Sequence, residues 1–238
     1  MSETRWSGGL VFTPGLMAFT GEIGETAAHS HAAVQILLVT AGEVSLTDAA
    51  GRTMAATIAI IPPAARHEVR AEPGTAGLLA YLDPDSIAGR AAIARLRGLP
   101  AEDVASWISA ATPRPGVLLP GESMGSHPPG SHAAVADALR LAAGNPAGPP
   151  TLVEMAAQVA LSPSRLSHVF AEQMGLPYAA WRRWTRLRRA MDAVRDGDSL
   201  TEAAHAAGFA DSAHLTRTCR DMFGITPTEA LHATGWRA

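Results

Sequence analysis

Length, composition and charge exclude several classes of protein. The chain has 238 residues, 47% of them hydrophobic, and a formal net charge of −3, which leaves room for one large or two modest domains. The single cysteine, Cys219, rules out an internal disulfide, and we interpret it as a small buried hydrophobic residue. No apolar run approaches the ~20 residues that a membrane helix needs, and no secretory signal is apparent. We therefore expect a soluble, cytoplasmic protein that makes no membrane contact.

The first 82 residues predict β-structure. Short stretches of β-forming residues recur at roughly ten-residue spacing and are separated by turn-forming residues. The clearest candidate strands are 34–40, 43–47, 57–61, 68–70 and 77–82. Many short strands in succession favour a jelly roll or a small barrel.

Residues 83–143 change to a helical pattern. Asp83 and Pro84 end the β pattern, and apolar residues then recur at helical spacing in 86–97, 101–111 and 132–143. Residues 112–131 are rich in Pro and Gly and predict an irregular connection. Residues 144–150 have the composition of a linker, so we divide the chain into domains at 1–143 and 151–238.

Residues 151–175 predict two short helices joined by a tight turn. Thr151 and Glu154 have the spacing of a capping box, which starts the first helix. Ser162 and Pro163 suit the cap and the first position of the second helix. The polar side chains expected on the outer face of that second helix are Ser164, Arg165, Ser167 and His168.

Residues 199–224 repeat this plan. Gly208 breaks the first helix, Asp211 or Ser212 can cap the next one, and Gly224 ends it before Pro227 begins a closing helix. The outer face of the second helix is expected to carry Ser212, His214, Thr216, Arg217 and Arg220.

A long helix over 177–196 is predicted to join the two units. Residues 151–238 carry ten arginines against nine acidic residues, so any binding to nucleic acid depends on where the charges lie. Five arginines are crowded into this helix, where each could neutralise a phosphate. They are Arg182, Arg183, Arg186, Arg188 and Arg189.

One compound motif makes a family resemblance specific. The pattern is GF-x-D-x-x-x-L-x-R followed by FG-x-TP. Here it is formed by Gly208, Phe209, Asp211, Leu215, Arg217, Phe223, Gly224, Thr226 and Pro227. Over about its last third the chain resembles the DNA-binding domain of the AraC/XylS family of bacterial transcription regulators. The resemblance implies an all-α domain of two helix-turn-helix units that binds two successive major-groove segments of promoter DNA, commonly as a homodimer, with RNA polymerase as a further partner if the protein is an activator.

Histidines in the β-rich part form a second pattern, Gly24-x4-His29-x-His31-x3-Gln35-x6-Gly42, followed by Pro62-x-Ala64-x2-His67. Residues two apart on a strand share a face, so His29 and His31 can converge inside a barrel, where His67 can join them. The pattern resembles the two cupin motifs. In metal-binding cupins two histidines, a carboxylate and a third histidine hold a divalent ion, and here Gln35 stands at the carboxylate position.

Two interpretations of these histidines stay open. Three imidazoles and an amide oxygen can hold zinc, nickel or iron, although an amide is a weaker ligand than a carboxylate. Alternatively, the histidines are hydrogen-bonded residues that line a pocket for an organic effector.

The leading hypothesis is an α+β transcription regulator without enzymatic activity. A cupin-like sensor would receive a small ligand, and the helical domain would bind DNA. The alternative is a metal-dependent cupin enzyme, such as an oxygenase or isomerase, with a helical appendage. A third possibility is a constitutive regulator whose β-domain only dimerises, through the helices of 86–143, whose apolar stripes need partners.

Overall fold

The computed structural model describes residues 6–13, 15–112, 132–145 and 148–234. A β-rich amino-terminal half is followed by a helical carboxyl-terminal half, as the sequence predicts. The predicted connection over 112–131 and residues 146–147 of the predicted linker lie outside the described residues, apart from Thr112.

Nine strands form within the described ranges. They are β1 (Ser7–Thr13), β2 (Leu16–Glu22), β3 (Thr26–His29), β4 (Val34–Ala41), β5 (Val44–Asp48), β6 (Thr53–Ala56), β7 (Ile58–Ile61), β8 (His67–Ala71) and β9 (Ala76–Leu82). The five predicted strands correspond to β4, β5, β7, β8 and β9. Strands β1, β2, β3 and β6 were not predicted, because short segments rich in Gly, Ala and Thr carry little local β signal and are held by pairing with neighbours.

The strands form two antiparallel sheets. One has five strands in the order β1-β2-β9-β4-β7, and the other has four in the order β3-β8-β5-β6. Leu37 and Leu79 are direct partners across β4 and β9, and Leu46 and Val69 are direct partners across β5 and β8. All four side chains are at most 1% exposed, so each sheet contributes an apolar face to the core.

Nine helices follow within the described residues. They are α1 (Ile87–Arg95), α2 (Val104–Ala111), α3 (Ala133–Gly144), α4 (Leu152–Gln158), α5 (Pro163–Met174), α6 (Tyr178–Arg195), α7 (Leu200–Ala206), α8 (Ser212–Phe223) and α9 (Pro227–Thr234). Their positions match the predicted helices, with ends shifted by up to three residues. None of the helices in the described ranges is long and apolar enough to cross a bilayer.

The apolar faces of α2 and α3 are covered within the chain. Helix α2 packs on β7 and buries Trp107 completely, whereas α3 packs on α5 and buries Val135 completely. The expectation that these apolar stripes need a second copy of the chain as partner is therefore wrong for α2 and α3. The sequence shows that the stripes are apolar, but it does not show which sheet or helix of the same chain covers them. Helix α1 leaves Ile87 62% exposed.

Side chains of α6 hold the predicted linker. The Tyr178 hydroxyl donates to the Pro150 carbonyl at 2.9 Å, and Arg182 Nε donates to the Pro149 carbonyl at 2.8 Å. A guanidinium nitrogen of Arg189 donates to the carbonyl of Asn145 at 2.8 Å. These bonds fix both ends of the segment along α6, so the long helix positions the linker as well as the helices around it.

Candidate DNA-reading surface and histidine cluster

Helices α4 and α5, which we call the first helix pair, are set by local capping. Glu154 N donates to Thr151 Oγ1 at 3.3 Å and Thr151 N donates to Glu154 Oε2 at 2.8 Å, which completes the predicted capping box. In the turn, Ala160 takes a left-handed backbone with φ of 55°. Ser162 then caps α5 by accepting from Arg165 N at 3.2 Å. The order of cap, turn and cap aims α5 away from α4.

Helices α7 and α8, the second helix pair, repeat this geometry. Ser199 and Glu202 form the capping box, and Gly208 occupies the left-handed position of the turn with φ of 80°. Asp211 is the cap of α8, since its Oδ1 accepts from His214 N at 2.6 Å. This observation resolves the predicted choice between Asp211 and Ser212.

The outer faces of α5 and α8 are open. On α5, Ser164, Arg165 and His168 are exposed and Ser167 is half-buried; on α8, Arg217 and Arg220 are exposed, while Ser212, His214 and Thr216 are half-buried. The opposite faces of both helices are buried in the core, where Leu166 and Leu215 are at most 1% exposed. The structure therefore brings the predicted polar residues of each helix to one accessible face.

Several of these side chains contact other residues of the chain, and others make no polar contact within the described residues. The His214 ring lies edge-on to Phe209 with centroids 5.2 Å apart, and Thr216 Oγ1 donates to the Ser212 carbonyl at 2.8 Å. By contrast, Arg165, Arg183 and Arg217 form no side-chain hydrogen bond or salt bridge with the described part of the chain. The side chain of Arg217 is exposed, so its guanidinium is accessible to an outside acceptor.

The arginines of α6 divide into different roles. Arg183 is exposed, whereas Arg186 is half-buried. The Arg186 guanidinium lies beside the turn between α7 and α8, 3.0 Å from the position of a Cβ built on Gly208. Burial and the neighbouring Arg182 lower the pKa of Arg186. Arg188 pairs with the carboxylate of Asp83 and donates to the Thr13 carbonyl at 3.1 Å.

The prediction that each of the five arginines can neutralise a phosphate is therefore wrong for Arg188. Its charge is taken up by Asp83, which also accepts from Trp184 Nε1 at 2.7 Å. These two contacts link Asp83 to Trp184 and Arg188, which follow it in the chain by 101 and 105 positions. No local sequence pattern predicts such a pairing.

The histidines meet between the two sheets. His29 ends β3 and is the direct partner of His67, which begins β8, and Gln35 faces them from β4 of the other sheet. His31 lies in the loop after β3, so the expected same-face geometry of one strand does not apply to it. The four side chains are at most 3% exposed, and one ring nitrogen from each histidine lies within 4.8 Å of the other two.

Hydrogen bonds orient all three rings in the same way. Nδ1 of His29, His31 and His67 lies 2.8, 2.9 and 3.0 Å from a backbone carbonyl oxygen two residues away. Nε2 of His31 lies 2.8 Å from Gln35 Oε1, and Nε2 of His67 lies 3.0 Å from the same oxygen. Nε2 of His29 and Nε2 of Gln35 are buried without a partner among the described residues.

Burial keeps these rings neutral. Desolvation, and then the neighbouring His31, lower the pKa of His29 to about 4. Desolvation likewise lowers the pKa of His31, and it holds the pKa of His67 well below its usual range with help from the other two rings. A neutral imidazole that donates through Nδ1 carries a lone pair on Nε2, so the cluster presents acceptors to a common point.

Tyr81 connects the cluster with the helical half. Its ring lies 5.2 Å from the ring of His31, 5.1 Å from Phe223 and 6.4 Å from Trp184, measured between centroids. Burial raises the pKa of its hydroxyl. Sequence reasoning did not select Tyr81, because only the register between β4 and β9, in which Tyr81 is the direct partner of Gln35, places it beside the histidines.

An apolar cavity of about 60 Å³ lies next to Tyr81, between the five-stranded sheet and the second helix pair. Its walls include Met17 and Phe19 from β2, Met191 from α6 and Cys219 from α8. Burial raises the pKa of the Cys219 thiol to about 12, so this cysteine packs as an unreactive apolar group, in line with its interpretation from sequence.

Comparison with known proteins assigns the helical half. Residues 155–233 match the family described as a helix-turn-helix domain. The arabinose operon regulatory protein of Escherichia coli K12 is 30% identical over 79 residues, which is 33% of this chain and 27% of that protein. This part of the chain is a helix-turn-helix domain, and it is similar to the corresponding part of the arabinose operon regulatory protein.

Other relatives extend the comparison. The helix-turn-helix domain is also similar to part of the bifunctional transcriptional activator/DNA repair enzyme Ada of Escherichia coli K12, at 34% identity over 84 residues, or 35% of this chain and 24% of that protein. The chain thus spans about a quarter of the curated relatives it matches. Across both halves the fold is that of ToxT from Vibrio cholerae, with a TM-score of 0.56, 10% identity and coverage of 92% of this chain and 98% of ToxT.

Proposed function

We propose that the protein is a sequence-specific, DNA-binding transcription regulator whose β-rich half senses a small ligand. The observation that carries the proposal is the pair of similarly capped helices, α5 and α8, each with an open polar face and each packed against the long helix α6. The division of the chain into a sensor at 1–143, a linker at 144–150 and a DNA-binding domain at 151–238 follows from it. The sensor half is cupin-like, with two antiparallel sheets that face each other as in a jelly roll.

In this proposal α5 and α8 enter successive major-groove segments as two helix-turn-helix units. Arginine side chains read guanine edges, and short polar side chains contact either base or backbone. Arg165 and Arg217 are the strongest base-reading candidates, since both are exposed and neither has a polar side-chain partner among the described residues. Ser164, Ser167, His168, Ser212, His214 and Thr216 complete the two faces.

The exposed Arg183 would hold a phosphate and fix the register on the duplex. Arg182 and Arg186 are half-buried next to the linker. They would contact the DNA backbone only through guanidinium N–H groups that are not already directed to other atoms of this chain.

Effector binding would be communicated through Tyr81. This ring contacts His31 on the ligand side and Phe223, the last residue of α8, on the DNA-binding side. Two effector classes fit the interior, a metal ion at His29, His31, Gln35 and His67 or an organic molecule. The second class has support from ToxT, which has been solved with a bound unsaturated fatty acid, and from the apolar cavity beside Tyr81.

Promoter or operator DNA is the principal partner in this proposal, and the cytoplasm is the compartment. A homodimer would bind two half-sites, and RNA polymerase would be a partner of an activator. The buried faces of α2 and α3 are covered by β7 and α5 of the same chain, so the dimer interface would use other surfaces.

The decisive experiment selects sequences from a random duplex library with the full-length protein and then measures affinity by fluorescence anisotropy at several salt concentrations. We expect one enriched motif whose binding weakens steeply with salt, because phosphate contacts release counterions. A matched control is Arg140→Ala, which removes an exposed arginine of α3 that pairs with Asp137 outside the proposed surface. Failure to enrich any motif over the input library would reject the proposal.

The buried histidine cluster keeps one alternative function in view, a metal-dependent cupin enzyme with a helical appendage. The neutral Gln35 at the carboxylate position argues against it, since neither a charged ligand nor an acid–base partner stands in the cluster. A His31→Ala variant discriminates between the two. A regulator would still bind its selected DNA but lose the response to ligand, whereas an enzyme would show no selected DNA at all.

A further inference from the structure

We propose that two copies of this chain associate through the face of the five-stranded sheet that is turned away from the second helix pair. We call this surface the outer sheet face. The interface follows from the register, burial and charge of the strands. Its use on DNA, where two copies would occupy two half-sites, rests on the proposed function.

The strand register separates the two faces of the sheet. On β1 and β2, the side chains of Leu10, Met17 and Phe19 point toward the helical half, where they line the apolar cavity together with residues of α6, α8 and α9. Successive residues of a strand point to opposite faces, so Val11 and its direct partner Ala18 point the other way. The outer sheet face is therefore opposite to the face that holds the helical half.

The outer sheet face is apolar across all five strands. One row of direct partners consists of Val11, Ala18, Ala80, Ile36 and Ile60, and the next row consists of Gly9, Thr20, Leu78, Leu38 and Ile58. Among the paired positions of the described strands, Glu22 is the one charged residue of this face. It lies at the end of β2, where its carboxylate accepts from Gly74 N at 3.2 Å.

Part of this face is open to solvent. Val34, at one end of β4, is completely buried, whereas Leu38 is 39% exposed and Val11 is 55% exposed. The apolar residues near them that are half-buried are Leu16, Ala18, Ile36, Ile58 and Leu78. A contiguous apolar surface with a polar margin is typical of an interaction site, whereas single exposed apolar residues are common on any protein.

The size of the open part fits a small dimer interface. Five strands at a spacing of about 4.8 Å make a surface about 24 Å wide, and three outward residues on each strand extend about 20 Å along it. Each copy would then contribute roughly 500 Å², so that a pair buries about 1,000 Å², the lower limit for a specific interface. Two such faces can pack about 10 Å apart, as the sheets of a β-sandwich do.

A second copy fits this face better than a lipid surface does. Peripheral membrane proteins place basic side chains next to their apolar residues, but the charged residue of this face, Glu22, is acidic. In a two-fold dimer the same patch lies on both sides. A flat, uncharged sheet then meets an equally flat and uncharged sheet, and Glu22 stays at the margin of each copy.

The test is analytical ultracentrifugation of the full-length protein from nanomolar to high micromolar concentration, where we expect a monomer–dimer equilibrium. Leu38→Glu places a carboxylate in the interface twice and should weaken association at least hundredfold. Thr20→Arg changes an exposed polar residue of the same face and should weaken association at least tenfold. The matched control is Val153→Glu, which alters an apolar residue of α4 that is 65% exposed and should leave association unchanged.

Circular dichroism checks that each variant is folded, and Thr20→Arg carries the test if Leu38→Glu does not fold. A folded wild-type protein that stays monomeric at high micromolar concentration overturns the proposal. A dimer that neither variant weakens overturns it as well, because such a dimer uses another surface.

DNA binding separates this inference from the proposed function. Leu38→Glu should still bind a single half-site of the selected sequence, but it should lose cooperative binding to two half-sites. Specific DNA binding by a protein that never dimerises would overturn the interface and leave the regulator intact. Dimers that the two variants dissociate, in a protein that selects no DNA, would overturn the regulator and leave the interface intact.

Discussion

The two helix pairs are built by the same local rules and yet they are docked differently. Gly175 ends α5 and Gly224 ends α8, both in the left-handed conformation with φ of 71°. A Cβ added to Gly175 would meet nothing within 4 Å, whereas one added to Gly224 would lie 2.9 Å from Thr26 Cβ and 3.1 Å from the Ala27 carbonyl oxygen. The first pair thus ends in open space, and the second ends against β3.

This difference decides which pair is in contact with the β-rich half. The second pair and the helix after it touch β3 and β1, and Phe223 touches Tyr81. The first pair instead packs on α3, where Gln173 Oε1 accepts from His132 N at 3.0 Å. Identical folding signals therefore give one anchored helix pair and one that is coupled to the interior of the β-sheets.

The largest expected effect on stability comes from substituting the glycines that end α5 and α8. Gly224→Ala should lower the free energy of unfolding by about 3 kcal/mol, because left-handed strain adds to a clash with β3. Gly175→Ala should cost only about 1–1.5 kcal/mol, since it adds strain without a clash. Urea denaturation measures both variants, and equal losses would show that the second pair is not held against β3.

The contact between the halves gives the next effect. Asp83→Asn leaves Arg188 without its counterion, while the amide oxygen can still accept from Trp184, and we expect a loss of about 2 kcal/mol. Asp192→Asn is the matched control, because its pair with Arg195 is 38–40% exposed and solvent screens it, so its loss should change stability little. Urea denaturation of the two variants gives the comparison, and a cost for Asp83→Asn no larger than the control would mean that the halves are not joined there.

Base reading should be shared between the pairs. Arg165→Ala and Arg217→Ala should each weaken binding to the selected sequence by about 1.5 kcal/mol and relax its preference at different positions. Arg183→Ala should weaken all sequences alike and reduce the salt slope by about 1. Anisotropy titrations against single-base variants of the selected duplex test this, and an effect of only one arginine would mean that only one pair reads bases.

The smallest effect lies in the turns. Ala160 and Gly208 occupy equivalent left-handed positions, so Ala160→Gly should stabilise the protein by about 0.5 kcal/mol as relief of strain outweighs the added chain entropy. Gly208→Ala should instead cost at least about 1 kcal/mol, because the new Cβ also lies 3.0 Å from the Arg186 guanidinium. Thermal unfolding gives the signs, and a destabilised Ala160→Gly variant would contradict the strain argument.

The sequence by itself determined the helical half almost completely. Caps such as Thr151 and Ser199, left-handed stops such as Gly175 and Gly224, and the polar faces of α5 and α8 all follow from residues within one or two helical turns of each other. Five strands were predictable for the same reason, because their apolar patterns are local. The histidines could also be named in advance, since their spacing matched a known motif.

Only the tertiary structure decided how these parts meet. The pairing of Tyr81 with Gln35, the contact of Asp83 with Arg188, and the packing of α2 and α3 join residues that are tens of positions apart. Such contacts depend on sheet register and on which surfaces remain uncovered after the local elements form. Periodicity specifies that a face is apolar or polar, but the identity of its partner emerges only when the whole chain is packed.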